Sequence, residues 1–168
     1  MTICAHRRRC IFGDAVAGEA VLNPYGKRVE KCRLDLPRHF PAVTLDALVV
    51  MPNHIHGIVV IEDADLQTWR VEGRGAACRA PAGQRFSSPV SGSLGTIIGS
   101  LKSAAARAVN RARATRGAAV WQRNYHEHVI RNEEDLDEAR KYIADNPSRW
   151  AFDRENPAMA RRKLPGSR

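Results

Sequence analysis

Two histidines separated by one residue, His54 and His56, are the side chains of this sequence best suited to chemistry. They follow a Met-Pro-Asn tripeptide inside the apolar stretch over residues 45–61, which predicts two strands joined at that tripeptide. Successive side chains of a strand point to opposite faces, so both imidazoles project from the same face, about 6.6 Å apart along the strand. Such a pair can hold one divalent metal ion that stays open to a substrate. The spacing alone is weak evidence, because single histidines on strands are more often structural.

The last predicted helix supplies groups that can complete such a site. Glu138, Tyr142 and Asn146 recur at intervals of four residues, and they therefore share one helix face. If that face covers the histidines, the Asn146 amide oxygen becomes a third metal ligand and the Tyr142 phenol lies one turn away. Two imidazoles and an amide oxygen form a neutral ligand set whose open positions suit Mg²⁺ or Mn²⁺, although imidazoles also bind Zn²⁺ well.

These residue types fit the transesterification of a phosphodiester. A metal ion polarises the scissile phosphate, and a tyrosine oxygen attacks it to give a covalent phosphotyrosine that stores the bond energy for rejoining. The phenol has an ordinary pKa of about 10, so it needs activation or a nearby proton acceptor. A plainer interpretation of each residue remains open. In it, Tyr142 only packs against the sheet, as most helix tyrosines do, and Asn146 only ends the helix before Pro147.

The overall charge points to a polyanionic partner. The chain of 168 residues has a formal net charge of +9 and a pI near 10.0. This favours nucleic acid over membranes, because no basic amphipathic helix with bulky aromatics stands out. No apolar run is long enough for a transmembrane helix, no signal-peptide core precedes the arginines at 7–9, and the 4 cysteines lack metal-ligand spacing. We therefore predict a reduced, cytoplasmic, nucleoid-associated protein that does not bind membranes.

Local signals predict a β-α-β-β-α-β order followed by an extra helix. The elements are a strand end over residues 1–6, an irregular segment over 13–20, a helix over 24–36 capped by Asn23, strands over 43–50 and 54–61, a helix over 94–115 capped by Ser93, a loop entering a strand over 121–131, and a helix from the cap Asn132 to about Asn146. This order predicts an α+β fold of the ferredoxin-like class, an antiparallel sheet with both helices on one face. The appended C-terminal helix carries Tyr142.

Composition also divides the chain. We expect a single catalytic domain over residues 1–152, in which residues 62–93, rich in Gly, Ala, Ser, Arg and Pro, form a long mobile loop. Residues 153–168 close with RRKLPGSR and are expected to form a basic, disordered tail.

Several basic and aromatic side chains are predicted to contact DNA. Basic residues neutralise phosphates and position DNA without reading its sequence, whereas aromatic side chains stack on bases. The predicted contacts are Arg107, Arg111, Lys102, Arg7, Arg8 and Trp121, with Trp150 as a further stacking candidate. Each has an ordinary alternative, since helix arginines often form a solvated face and large aromatics beside helix ends usually pack in the core.

Three segments together, MPNHIHGIVV, WQRNYHEHVIRN and YIADNPSRW, resemble the single-tyrosine HUH transposases, in which HUH denotes His-hydrophobic-His. The resemblance is strongest to the REP-associated tyrosine transposases and covers roughly residues 2–157. It implies a metal-dependent enzyme that nicks and rejoins single-stranded DNA beside small hairpins through a 5′-phosphotyrosine link, leaving a free 3′-OH. Carried over by position, His54, His56 and Asn146 are the metal ligands and Tyr142 is the nucleophile.

The sequence departs from this family at two points. Members usually have several more residues before the first strand, so we expect this chain to start late. Position 126 is commonly aromatic in relatives and is His126 here.

Three functions therefore stay open. The first is the DNA-nicking and -joining enzyme, and the second is a catalytically silent DNA-binding protein derived from a transposase. The third is a metal-dependent hydrolase that uses water and would remain active as Tyr142→Phe. Tyr125 with His126 and His128 forms a competing constellation, because this second His-x-His pair would also share a strand face. The oligomeric state, monomer or homodimer, stays open as well.

Overall fold

A computed structural model describes residues 1–62 and 92–162. The strands are β1 (Thr2–Cys4), β2 (Gly13–Val16), β3 (Glu19–Leu22), β4 (Val43–Val50) and β5 (His54–Ile61), and the helices are α1 (Pro24–Leu34), α2 (Leu36–His39), α3 (Leu94–Ala112), α4 (Glu133–Asp145) and α5 (Pro157–Arg162). Nearly all of the predicted mobile loop, together with Cys78 and the last six residues of the expected tail, lies outside the described residues. Within the described ranges, no helix combines the length and the hydropathy needed to cross a membrane.

A three-stranded antiparallel sheet forms the centre of the fold. Its strand order is β1-β5-β4, so the strand that begins with the two histidines is the central one. Along the outer side of β1, residues 121–126 make two isolated antiparallel bridges, at Thr2 and at Ala5. The α+β class with antiparallel strands is confirmed. The full ferredoxin-like order remains a prediction, because residues 121–126 bridge to β1 without forming a continuous strand.

Side-chain caps start the helices where the sequence predicted them. The Asn23 side chain accepts hydrogen bonds from two amides of the first turn of α1, at 2.8 and 3.0 Å. Ser93 and Asn132 each accept one from the amide three residues on, at 3.2 and 2.7 Å. Each cap satisfies an amide that has no partner within its own helix, which is why these starts were readable from local sequence.

The prediction of an irregular segment over residues 13–20 is wrong. Strands β2 and β3 form an antiparallel hairpin in which Val16 pairs with Glu19. Its turn consists of Ala17 and Gly18, both with positive φ, of 52° and 84°. Two central residues with positive φ match the right-handed twist of a hairpin. The small residues hid this hairpin, because their hydrophobic alternation is weak.

Two predicted boundaries also change. Helix α1 ends at Leu34 rather than at residue 36. The short helix α2 follows, with Pro37 in its first turn. The expectation of a disordered tail from residue 153 is wrong for residues 153–162, which contain α5 and the buried side chain of Asn156. Composition could not reveal this segment, because polar contacts to distant residues hold it.

The two faces of the sheet have different roles. Ile3 and Ile55 are fully buried in the core with Ile97 and Leu101 of α3. Because side chains alternate along a strand, His54 and His56 face the opposite side of the sheet, where α4 packs on β4 and β5. Helix α3 and the appended C-terminal helix α4 therefore lie on different faces of the sheet, and α1 packs against α3.

Candidate metal centre

The two histidines form a compact buried pair at the start of β5. Their ring centroids are 4.5 Å apart and the ring planes meet at 73°. The exposed fraction of the residue is 0% for His54 and 7% for His56. The shared face predicted from the sequence is confirmed, because both rings meet on the side of the sheet away from the core.

Hydrogen bonds to the inner nitrogens orient both rings. The Asn53 side chain donates through Nδ2 to the carbonyls of Arg8 and Glu155, at 3.0 and 2.6 Å. Its Oδ1 therefore faces His54 Nδ1 at 2.9 Å and accepts a hydrogen bond from that ring nitrogen. On β1, Thr2 Oγ1 lies 2.8 Å from His56 Nδ1. Outer-sphere contacts of this kind fix ring orientation in metal sites and leave Nε2 of each ring as the ligand atom.

The three predicted ligand atoms are all buried and all without a hydrogen-bond partner. Among the described residues, buried side-chain nitrogen or oxygen atoms without a hydrogen-bond partner are His54 Nε2, His56 Nε2, Asn146 Oδ1 and the distant Arg33 Nε. Asn146 is 3% exposed and caps the C-terminus of α4. Leaving a buried polar atom unpaired is costly, so a group that accepts these three lone pairs explains the arrangement. A divalent cation fits this donor set.

Asp153 is a functional candidate that the sequence analysis missed. Its Oδ2 lies 3.7 Å from His54 Nε2. One ligand atom from each of His54, His56 and Asp153 falls within 4.8 Å of the others, and no other such group of three exists among the described residues. No local motif marks this aspartate. It follows the short 3-10 helix Trp150–Phe152 and is the first residue of the segment that was expected to be disordered.

The segment that carries Asp153 is held by its own contacts. The Glu155 amide donates to Asp153 Oδ1 at 2.6 Å. The Glu155 carboxylate pairs with Arg8 Nε at 2.8 Å and accepts from Cys4 Sγ at 3.4 Å. Its backbone carbonyl accepts from Asn53. The same Asn53 side chain thus contacts a metal-site histidine and the segment that brings in the carboxylate.

Burial keeps both imidazoles neutral. It lowers the pKa of His54 to about 4, with a smaller opposing contribution from the Asn146 side chain. It lowers the pKa of His56 to about 3, and the neighbouring His54 acts in the same direction. Neutral imidazole is the form that binds metal, so near neutral pH the pair needs to release no proton before binding an ion.

Tyr142 stands beside this pair. It lies on α4, is 49% exposed, and its ring meets the His56 ring edge-on at a centroid distance of 5.2 Å. Burial raises the pKa of the phenol and the Asp153 carboxylate adds to this, while the Asn146 side chain opposes it. The competing Tyr125 instead packs against the core. His126 and His128 are exposed and belong to no three-ligand group among the described residues.

An open groove runs along β5 from His56. It has a volume of about 770 Å³. It is lined by His56 and Tyr142, by residues 57–61 of β5, by the first turns of α4 and by residues 127–130.

The predicted DNA contacts divide into exposed and internal side chains. Arg107, Arg111 and Arg7 are exposed, with both helix arginines on α3, across the sheet from the histidine pair. Lys102 donates instead to the backbone carbonyls of residues 122 and 123, at 2.7 and 2.9 Å. Arg8 is also exposed, and its guanidinium pairs with the Glu155 carboxylate.

Trp121 does not offer a stacking surface. It is 8% exposed, its indole nitrogen donates to the Lys102 carbonyl at 3.0 Å, and its ring packs on Phe12 at 4.9 Å. The expectation that it stacks on bases is wrong, because tertiary packing buries it. Trp150 is half-buried, 6.0 Å from the His54 ring.

Comparison with known proteins places the chain among relatives. A protein of Haemophilus influenzae, described only as an uncharacterized protein, is 35% identical over 155 residues, which make up 91% of this chain and 81% of the relative. The chain belongs to the family of this Haemophilus protein. No protein-family model matches the chain.

A solved structure of another protein shares the fold of this chain. It is described as a REP-associated tyrosine transposase bound to a REP hairpin, and it superposes with a TM-score of 0.56 over 90% of this chain and 67% of its own. The sequence identity is 18%, so the likeness establishes a transposase-like fold and not an activity. The fold that the sequence resemblance implied is thus supported by the structure.

Proposed function

We propose that this protein is a metal-dependent strand transferase that nicks and rejoins single-stranded DNA beside hairpins through a covalent 5′-phosphotyrosine. The observation that carries the proposal is the set of buried, unpartnered ligand atoms on His54, His56 and Asn146, with Tyr142 on the helix that Asn146 ends. The fold shared with a hairpin-bound tyrosine transposase supports the DNA substrate.

His54 Nε2, His56 Nε2 and Asn146 Oδ1 would hold the metal, with the Asp153 carboxylate as a further oxygen ligand or a proton acceptor. When bound, Mg²⁺ or Mn²⁺ supplies Lewis-acid polarisation of a phosphodiester. The phenol oxygen of Tyr142 attacks the phosphorus and its proton passes to an acceptor. The bond from phosphorus to the 3′ oxygen breaks, and that oxygen takes up a proton to leave a free 3′-OH. The raised pKa of Tyr142 makes the acceptor necessary, since the phenol starts protonated.

The remaining features of the proposal concern the partner and the architecture. Exposed arginines of a chain with a net charge of +9 would contact the DNA backbone. Arg107 and Arg111 lie across the sheet from the metal site, so they would bind a part of the DNA distant from the scissile phosphate. We also propose that residues 121–126 complete a ferredoxin-like sheet and that the protein acts at the nucleoid.

A water-using metal hydrolase is the second candidate, and Asp153 favours it. A carboxylate beside two metal-binding imidazoles can act as a general base for water. In that case Tyr142 would only cover the site. The two mechanisms differ in whether a covalent protein–DNA product forms.

The deciding experiment uses end-labelled single-stranded DNA that carries a hairpin from the flanks of the gene, with Mg²⁺ or Mn²⁺. A denaturing gel detects an adduct that survives heating in detergent. We expect the adduct in the unaltered protein and in the matched control Tyr125→Phe. We expect none in Tyr142→Phe or His56→Ala.

Other results would each reject the proposal. Metal-dependent cleavage without an adduct, preserved in Tyr142→Phe, would establish the hydrolase. Retarded but uncut DNA with both metals and several hairpins would leave a binding protein without turnover.

A further inference from the structure

A β-bulge in β4 lies opposite the middle of β5. Leu45 pairs with Val59 and Leu48 pairs with Gly57, so Asp46 and Ala47 together face a single residue of β5. A bulge of this kind leaves part of the ladder unpaired and redirects a side chain. The bulge also shifts the alternation, and Val43 and Val50 at the two ends of β4 consequently both face the core.

A buried arginine satisfies the backbone that the bulge leaves open. Arg33 of α1 is 3% exposed, and its Nη2 donates to the carbonyls of Asp46, Ala47 and Ile58, at 2.6, 3.2 and 3.0 Å. A buried guanidinium needs such partners. The bulge is therefore held from the core side by α1.

On the other face, the bulge presents the Asp46 carboxylate to the helix that carries Tyr142. Arg140 donates to it through Nε, at 3.2 and 3.3 Å, and through Nη2, at 2.7 Å. The amide of Ala47 also donates to Asp46 Oδ1, at 2.5 Å. The carboxylate is thus oriented by its own strand before it meets the helix. Paired bonds between a guanidinium and a carboxylate define an orientation that a single bond does not.

Helix α4 has few other anchors to the sheet. Ile143 is the one buried residue among its thirteen, all of which the structure describes. Leu136 and Ala139 are half-buried, and the buried Asn146 caps the end of the helix. An ion pair to the sheet one turn before Ile143 adds a polar contact that restricts rotation of the helix about this apolar side. Arg140 provides this contact, two residues before the tyrosine.

We infer that Asp46 and Arg140 are positioning residues. They fix the position of α4 on the sheet and thereby hold the Tyr142 phenol beside His56. Their role in catalysis rests on the proposed function, whereas their role in holding the helix does not. The pair acts through the helix, since neither side chain belongs to the ligand set. The tyrosine depends on it more than the metal does, because His54 and His56 sit on β5 and only the third proposed ligand, Asn146, follows α4.

Hydrogen–deuterium exchange of the metal-free protein tests the helix contact directly. Asp46→Asn keeps an acceptor for the Ala47 amide and removes the ion pair, and Arg140→Gln removes the guanidinium. We expect amides of residues 133–145 to exchange about threefold faster in each variant, since a partly exposed ion pair contributes modestly. The double variant should exchange no faster than either single one.

Asp137→Asn is the matched control. Asp137 also contacts Arg140, at 3.2 Å, but it lies on the same helix and holds nothing to the sheet. We expect exchange of α4 to be unchanged in this control, and exchange of β5 to be unchanged in all variants, which verifies folding.

A second readout connects the contact to the tyrosine. In Asp46→Asn and Arg140→Gln, the rate of adduct formation with bound DNA should fall about threefold or more, while Mn²⁺ affinity should fall by a smaller factor, because two of the three proposed ligands lie on β5. Unchanged exchange in α4, or equal acceleration in Asp137→Asn, would overturn the inference whatever the activity. Faster exchange in the expected variants, with no adduct in the unaltered protein, would uphold the contact and reject the proposed function alone.

Discussion

Acidification should lower the unfolding free energy of the metal-free protein, because two histidines are buried in their neutral form. Burial lowers the pKa of His54 to about 4 and that of His56 to about 3, whereas an unfolded chain binds these protons near pH 6.5. The unfolded state therefore holds more protons between these limits, and the stability contributed by neutral histidines is lost as the pH falls below about 6.5. The expected direction is a loss of stability toward acid.

The magnitude follows from the same pKa values. From pH 6.5 to pH 4.5, protonation of one histidine in the unfolded chain alone costs the native state about 2 kcal/mol. Both histidines stay largely neutral in the folded protein over this range, so together they should remove about 4 kcal/mol. This is a large part of the stability of an ordinary domain.

Urea unfolding followed by circular dichroism measures this loss at the two pH values, with a chelator present throughout. The control is the double variant His54→Gln/His56→Gln, which has the same carboxylates and lacks the two titrating groups. We expect the pH-dependent loss to shrink by about 4 kcal/mol in the variant. Equal losses in the two proteins would refute the reasoning, because the acid sensitivity would then come from other groups.

Two further predictions concern the metal and the core. Mn²⁺ at about a hundred times its dissociation constant should raise the unfolding free energy by about 2.7 kcal/mol, as measured by urea unfolding, and should leave His54→Gln/His56→Gln unchanged. A stabilised variant would contradict the ligand assignment. Leu101→Ala on α3, where the side chain is fully buried, should cost about 3 kcal/mol at unchanged Mn²⁺ affinity. A change in affinity would show that the two faces of the sheet are coupled.

Local signals in the sequence accounted for the elements nearest the site. Strands β4 and β5 have the predicted bounds, because the apolar runs on either side of Met-Pro-Asn are strong and the break between them is short. The caps Asn23, Ser93 and Asn132 were found because a cap acts within its own first turn. The hairpin β2–β3 was missed, since its small residues carry little pattern.

Side-chain roles that depend on distant partners were harder to predict. Trp121 and Lys102 were expected to contact DNA, yet each contacts the backbone or the core within the protein. An aromatic or basic residue has the same local signature in either setting. Asp153 was missed for a related reason, since the residues that hold its segment come from the N-terminal part of the chain.

By itself, the sequence determined that two imidazoles share one strand face and that Tyr142 and Asn146 share one helix face, because those relations follow from periods of two and of about four residues. Tertiary structure alone decided that these faces meet, that three of their polar atoms are buried without a hydrogen-bond partner, and that Asp153 joins the two histidines. It also decided that Asp46 emerges at a bulge toward Arg140. Local periodicity orients side chains within an element, whereas packing and long-range hydrogen bonds determine which elements touch.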